Sequence, residues 1–475
     1  MPSFDVVRHW VVIGLSWFDL SVLAYFIALN SLYLVFSLIA FVKLNQHRRR
    51  WTSRELAAVI RSPETPGISL IVPAYNEEAT IKESVRSLLL LNYPAFEIVV
   101  VNDGAKDRTM EVLVEAYGML PAPASYEQPV ATQPVKAFFR SLANPDLVAI
   151  DKVNGGKADA INAGINAARH PLVCVIDADS ILEEHALTRA ALPFIEDPTT
   201  LAAGGIVRIV NGCDVEAGRV TRVGLPKSAL ARFQVVEYLR AFLAGRTALS
   251  AGNMLLIISG AFGIFRRDAV VAAGGFRADT VGEDMEIVTR LHRLYRERGE
   301  KYRIVFQPDP ICWTEAPESR KILRSQRNRW QRGTLQVLGY HRKMLCNPRY
   351  GAVGLIAMPY YLVFEALGPV IEFLGFAVTI LALAFGLLDW RFAELLFLAA
   401  VAYGALISMA AVMLEEVSFK RYPKVTDLLV LCAVGVVENF GYRQLTTWWR
   451  LQGVLDYFKK TQGWGTMTRK GFTRA

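Results

Sequence analysis

Residues 172–179 read Leu172-Val173-Cys174-Val175-Ile176-Asp177-Ala178-Asp179. Five apolar residues in a row predict a strand buried on both faces, as in a parallel sheet. Two carboxylates follow at once, where the strand ends. Charged carboxylates there are costly unless something cationic neutralises them. Upstream the same grammar repeats. Ile68-Ser69-Leu70-Ile71-Val72 reads as a buried strand ended by Pro73, and a helix follows from about Glu78 to Leu91, with Ile81, Val85, Leu88 and Leu89 at helical spacing. Phe96 to Val101 is a second strand, Asp107 to Tyr117 a second helix, Leu147 to Ile150 another strand, and 157–168 another helix. Residues 118–134 hold Pro121, Pro123, Pro129 and Pro134 and read as a surface loop. Strands alternating with helices predict an α/β domain on a largely parallel sheet.

The ends of the chain differ from this middle. The 475 residues are 53% hydrophobic with a mean hydropathy of +0.27, and the excess sits at the two ends. Leu20 to Val42 carries no charge and is long enough for a bilayer core of ~30 Å. Lys43, Arg48, Arg49, Arg50 and Arg54 follow it, on the wrong side for a cleaved leader. That asymmetry predicts an outer N-terminus and a cytoplasmic middle. Residues 351–388 would measure ~57 Å as one helix, so Pro359 and Pro369 are expected to break them into a re-entrant or interfacial piece plus one span. Asp389-Trp390-Arg391 would then turn the chain, 392–414 return, and the basic tail stay in the cytoplasm. Glu318 to about Met344 reads as a basic amphipathic helix lying in the membrane interface. The net charge of +9 clusters beside these apolar blocks with no nucleic-acid-binding motif, so its partner is lipid head groups rather than nucleic acid. Five scattered cysteines form neither a disulfide framework nor a zinc spacing.

Several short motifs fall at strand ends, where open α/β sheets bind ligands. Ala74-Tyr75-Asn76-Glu77 puts an aromatic ring and a carboxylate there, and Asn102-Asp103-Gly104 ends the next strand. Asn154-Gly155-Gly156-Lys157 opens a helix, and glycines at a helix N-terminus with a lysine suit a diphosphate. Asp177 and Asp179 suit a divalent cation bridging that diphosphate. Gly282-Glu283-Asp284 begins a helical run, and Gln326-Arg327-Asn328-Arg329-Trp330 lies in the basic helix. Arg329 can pair with an anion such as a diphosphate, and Trp330 offers an aromatic face for stacking. Each piece also has a plain structural reading: turn chemistry for Asp103, an N-cap for Asp179, a helix start for Asp284, a membrane anchor for Trp330.

In this order the motifs resemble those of the membrane-embedded processive family-2 glycosyltransferases, the cellulose, chitin, hyaluronan and poly-N-acetylglucosamine synthases. The resemblance covers roughly 66–335. It implies a GT-A domain with a mixed, largely parallel sheet flanked by helices, set between N- and C-terminal transmembrane helices. The implied layout is a span and juxtamembrane segment over 1–66, the catalytic domain over 67–316, the interface helix over 317–350, further spans over 351–450 and a tail over 451–475. The implied chemistry is inverting transfer from a UDP-sugar, UDP-GlcNAc or UDP-Glc, to a growing β-linked polysaccharide that is then translocated. Ala74, Tyr75, Glu77, Asp103, Lys157, Asp177, Gln326 and Arg329 would hold the nucleotide sugar, with Tyr75 on the base and Asp103 at the uracil N–H. The family's usual aspartate before that one is Asn102 here. Asp179 would bind Mg2+ or Mn2+. Asp284 would be the base, and Glu283, Gly260, Phe262 and Trp330 would meet the acceptor, with Gln234 to Tyr238 lining the same cleft.

Other implied partners are membrane lipids and accessory export subunits, and the implied setting is a bacterial inner membrane with the catalytic domain cytoplasmic. A non-processive transferase acting on a lipid-linked acceptor is the competing enzymatic reading. A non-catalytic receptor is the third, and the presence of Asp103, Lys157, Asp177, Asp179 and Asp284 together argues against it.

Overall fold

The computed structural model describes residues 4–48, 62–123, 126–216, 218–387, 389–422 and 424–459. Arg49, Arg50, Arg54 and residues 460–475, expected on the cytoplasmic side, lie outside the described residues.

The twelve described strands are β1 (Ile68–Ala74), β2 (Phe96–Asn102), β3 (Met119–Ala122), β4 (Val135–Ser141), β5 (Leu147–Lys152), β6 (Leu172–Ile176), β7 (Ile181–Leu182), β8 (Thr200–Ile209), β9 (Asp214–Glu216), β10 (Arg219–Arg222), β11 (Phe262–Arg266) and β12 (Arg303–Thr314). Ten form one sheet in the order β3-β4-β5-β2-β1-β6-β11-β8-β12-β7, and β9 pairs with β10 alone. The apolar runs make its parallel heart: β5, β2, β1 and β6 all run the same way. On either side the sheet turns antiparallel, at β4 against β5 and at β11 against β6. The chain builds β2 and β5 on one side of β1 and then crosses to place β6 on the other. Such a switch point opens a crevice at the carboxyl ends of the strands. The loop expected over 118–134 is shorter than that: β3 occupies its first residues and pairs with β4 as an edge hairpin. Pro121 is tolerated because an edge strand leaves one row of N–H groups unpaired.

The first helix, Phe4–Arg48, is longer than the expected span, and its stretch His9–His47 is apolar and long enough to cross a membrane. Trp390–Ser418 meets the same test. Two more segments meet it as bent pairs: Val353–Ala366 with Gly368–Ala384, bent by 41°, and Val425–Val437 with Tyr442–Phe458, bent by 58°. The first bend falls just before Pro369, as expected of a residue that cannot continue the backbone ladder. Asp389 accepts the Arg391 N–H and caps the next helix, so the turn expected at 389–391 is a helix start.

Two expectations need correction. The boundary drawn at 450 falls inside the Tyr442–Phe458 helix. The basic helix, Arg320–Tyr340, leaves Arg320, Lys321 and Arg324 exposed, but it turns Arg327 inward. It packs against Tyr442–Phe458, where Asn328 donates to Asp456 at 2.7 Å and Arg324 to Gln452 at 2.9 Å. Arg327 is only 2% exposed. Glu237 takes the Arg327 guanidinium, which the sequence reading assigned to head groups.

Candidate active site

The residues expected to hold a nucleotide gather at the ends of β1, β2 and β5. Tyr75 projects beyond β1, 44% exposed and open to stacking. Asn76 turns the chain in the left-handed region, at φ 58°, and accepts the Lys106 N–H at 2.9 Å. The backbone N–H of Glu77 donates to Thr109, and its carboxylate accepts from Thr80 at 2.6 Å, so Glu77 also ties down the following helix. Ala74 is buried and contributes backbone: its carbonyl accepts the Asp103 N–H.

Asp103 has more to hold than a base. Its carboxylate accepts from Lys152 at 2.7 Å and from the amides of Gly155 and Gly156 at 2.9 and 2.8 Å. Burial pushes its carboxyl above the ordinary value although Lys152 and those amides pull the other way. Lys152 is buried as well and reaches Asp159 at 2.5 Å. Asn102 donates to Asp151, giving the amide side chain a use that a second aspartate could not serve beside that carboxylate. The glycine loop is thus fixed by buried charge, and Gly156, at φ 88°, delivers the chain into the Lys157–Ala167 helix.

Other candidate residues meet in one cavity of about 320 Å³. It is lined by Lys157, Asp177, Gly260, Glu283, Asp284, Gln326, Arg329 and Trp330, eight of the residues singled out from sequence. Lys157 Nζ lies 2.5 Å from Asp177 and 3.7 Å from Glu283. Burial opposes its charge, but Asp177, Glu283 and Asp284 outweigh burial and hold the ammonium above its ordinary pKa. Glu283 is 4% exposed, and burial pushes its carboxyl up to about 7, with Asp284 adding to the rise and Lys157 and Arg329 opposing it. Asp284 accepts the Gly260 N–H at 3.1 Å, and a side chain at Gly260 would meet Lys157 Nζ at 3.1 Å. Only glycine leaves the space between base candidate and ammonium open.

Gly333 of the Arg320–Tyr340 helix rests against Gly282, so close that a Cβ on either would stand 3.0 Å from the other's Cα. This contact seats the helix beside Asp284, and Arg329 and Trp330 line the same cavity as Asp284. Arg327 lies 4.3 Å from the Trp330 ring centroid and pairs with Glu237 at 2.7 Å, and Tyr442 donates to the same carboxylate at 2.9 Å. Trp330 stays 37% exposed toward the cavity.

Some expected residues lie elsewhere. Phe262, expected at the acceptor, is fully buried in the core on β11 and does not line the cavity. Phe262 is the first residue of β11 and packs into the sheet, whereas Gly260 lies in the loop before it. Asp179 is 8% exposed, beside the cavity rather than on its wall. Gln234 is buried and donates to Pro317, whereas Glu237 and Tyr238 of the same stretch do reach the cavity.

The cavity also includes residues that no motif flagged: Tyr33 from the first helix, Arg246, Tyr360, Tyr361 and Glu365 from the broken segment, and Arg450 from the last helix. Arg450 reaches Glu365 at 3.1 Å and Gln331 at 2.9 Å. A carboxylate inside an apolar block is a signal that could have been read, since such groups face a partner or a cavity.

The model of the family described as "Glycosyltransferase like family 2" matches residues 66–333. Poly-beta-1,6-N-acetyl-D-glucosamine synthase of Staphylococcus epidermidis is 28% identical over 287 residues, 60% of this chain and 59% of that protein. The synthase of the same name from Staphylococcus aureus is 30% identical over 280 residues, 59% of this chain and 57% of that protein. The aligned region therefore spans under three fifths of either relative's length. Among solved structures, a mannosyltransferase from Pyrobaculum calidifontis, in complex with GDP-Man and Mn2+, superposes with a TM-score of 0.54 at 19% identity. It covers 89% of this chain and 99% of that one, a likeness of fold.

Proposed function

Since the chain belongs to the glycosyltransferase family 2, we propose that it extends a β-linked polysaccharide from a UDP-sugar donor at a membrane. The carrying observation is that one cavity holds Lys157, Asp177 and Asp284 together with Trp330 and with Tyr33, Tyr360 and Arg450 of the membrane-type helices. A donor site that opens directly among such helices suits an acceptor that stays bound and leaves through them.

In this reading Tyr75 stacks on the base. Lys157 exchanges its Asp177 partner for the donor diphosphate, and Arg329 meets the same charge. Asp284 takes the proton of the acceptor hydroxyl as its oxygen attacks the anomeric carbon. The bond from that carbon to the diphosphate breaks, the electron pair leaves with UDP, and the configuration inverts. Trp330 carries the acceptor's terminal sugar. Asp177 and Asp179 are hard oxygen donors of the kind Mg2+ or Mn2+ prefers, and no cluster of three or more metal-ligating side chains occurs among the described residues. Donor phosphate oxygens would complete the shell around an ion held by Asp179, and the ion would neutralise the leaving diphosphate.

The proposed organisation keeps the catalytic domain over 67–316 in the cytoplasm of a bacterium, at the inner membrane, with the product translocated. The donor sugar is UDP-GlcNAc or UDP-Glc, and the resemblance to the two staphylococcal synthases favours the first. Purified protein incubated with each labelled donor, followed by sizing of the product, tests the proposal. A high-molecular-weight polymer is expected. A product carrying one added sugar, or no transfer from either donor, would overturn it.

A further inference from the structure

The cavity contains five basic side chains, Lys157, Arg246, Arg327, Arg329 and Arg450, and five acidic ones, Asp177, Glu237, Glu283, Asp284 and Glu365. Arg327 is paired with Glu237, and Arg450 with Glu365. Arg246 differs. It is 6% exposed, its guanidinium lies 3.9 Å from the Phe242 ring centroid, and one terminal nitrogen is buried without a hydrogen-bond partner. Among the described residues no carboxylate stands within ion-pairing distance of it. An aromatic face compensates a buried guanidinium only in part, and its five N–H donors still need acceptors.

The position is built by the backbone. The Ala229–Tyr238 helix widens into a π-helix over Leu239–Gly245 before Arg246 begins the last short helix, Arg246–Ala251. Such widenings often occur at functional sites. That short helix packs against the first, membrane-type helix, which supplies Tyr33 to the same cavity. Arg246 therefore sits where the catalytic domain meets the membrane-type helices.

We propose that Arg246 is a specificity residue of the acceptor glycan, donating to the acyl carbonyl of an N-acylated amino sugar. The inference rests on the reading that this cavity holds a growing glycan. Three features select the ligand. In the proposed function Lys157 and Arg329 of this cavity already meet the donor's diphosphate, which leaves Arg246 for an uncharged part of the ligand. A guanidinium only donates, and an amide carbonyl only accepts, with two lone pairs, whereas a sugar hydroxyl brings a proton that needs its own acceptor. A free amine would be cationic and would repel Arg246. Aromatic side chains of Phe242, Tyr33 and Tyr361 in the same wall offer faces for the sugar rings and the acetyl methyl group.

The test uses the full chain in detergent, loaded with UDP, titrated with two probes of equal length and linkage: a tetramer of β-linked N-acetylglucosamine and one of β-linked glucose. Wild type is expected to bind the N-acetylated tetramer at least about tenfold more tightly, the worth of one hydrogen bond to a charged group. Arg246→Gln should bring that ratio near one, with UDP affinity and thermal stability unchanged, and Arg246→Lys should restore part of it. Equal affinity for both probes in wild type, or an undiminished ratio in Arg246→Gln, overturns the inference and leaves the functional reading standing. If UDP binds wild type but neither tetramer does, the functional reading falls and the inference with it. If Arg246→Gln proves unstable, Arg246→Lys decides: retention of the full ratio at intact stability also overturns the assignment.

Discussion

Asp284 and Glu283 are neighbours in the chain with different surroundings. Asp284 accepts the Gly260 amide and faces the cavity, while Glu283 is buried beside Lys157. As base, Asp284 should be needed for chemistry and not for the nucleotide. Asp284→Asn is expected to lower transfer at least ~10²-fold while UDP affinity stays near wild type, measured by steady-state rates and UDP titration. A matching loss of UDP binding in a folded protein would make it a donor-site residue instead. Glu283 gives a pH signature. Its carboxyl, near 7 against an ordinary 4.5, is protonated below about 4.5 in both folded and unfolded chains. As pH rises toward 7 the unfolded chain ionises first, and stability contributed by the buried acid is lost across that window. Glu283→Gln lacks this loss, so its stability advantage over wild type should grow by at most about 3 kcal/mol between pH 4.5 and 7. Thermal melts across that range check it, and a constant gap would contradict it. Asp179→Ala, or chelation of Mg2+ and Mn2+ in the wild type, should abolish transfer, because the diphosphate then leaves with its charge uncompensated. Undiminished turnover in excess EDTA would exclude a metal role for Asp179.

Between elements, the decisive contact is Gly333 on Gly282, which sets the Arg320–Tyr340 helix on the N-terminus of the helix that carries Asp284. Gly333→Ala adds a methyl carbon that would stand only 3.0 Å from Gly282 Cα, so the two helices must give by a few tenths of an ångström. Both glycines line the cavity, and transfer should fall by up to about tenfold, since a displacement on the order of 1 Å can cost a hundredfold and this one is smaller. Rates and melting temperature measured together separate this from unfolding, and an unchanged rate would show the contact to be slack. The same scale explains what the sequence could reveal. β1, β2 and β6 were legible because each is an apolar run closed by a turn signal, and Leu172 to Ile176 matches its strand at both ends. β3 was hidden by the prolines around it. The flank beyond β6 was illegible for another reason. β8 and β12 meet through register shifts at Arg303/Ile304 and Gln307/Ile311, and such irregular pairing breaks a simple periodic pattern. Lys157, Asp177, Asp284 and Trp330 were legible from motif order. Arg246 was not, because nothing in Gly245-Arg246-Thr247 marks a guanidinium that becomes functional only where the first helix and the broken segment close around it.

Over the whole molecule, the catalytic sheet and the membrane-type helices are bound into one body by charge as well as by apolar packing. Arg208 on β8 pairs with Glu415 of the Trp390–Ser418 segment at 2.8 Å, and both are buried. Arg421 just beyond it reaches Glu183 at 3.1 Å. Arg240 joins Ser408 and Glu438, bridging the catalytic domain to two apolar helices. Buried pairs of this kind contribute little net stability but fix orientation, because breaking one strands a charge. The cavity at this junction can therefore keep the donor site and the acceptor's path aligned from one addition to the next. The direct measurement is a pulse–chase with purified protein. A brief pulse of labelled UDP-sugar is followed by a large excess of unlabelled donor and dilution, and the size of labelled chains is followed in time. Continued growth of the labelled chains to full length, at a rate independent of dilution, is the predicted result. Labelled chains that stay short while new unlabelled ones appear would contradict the account.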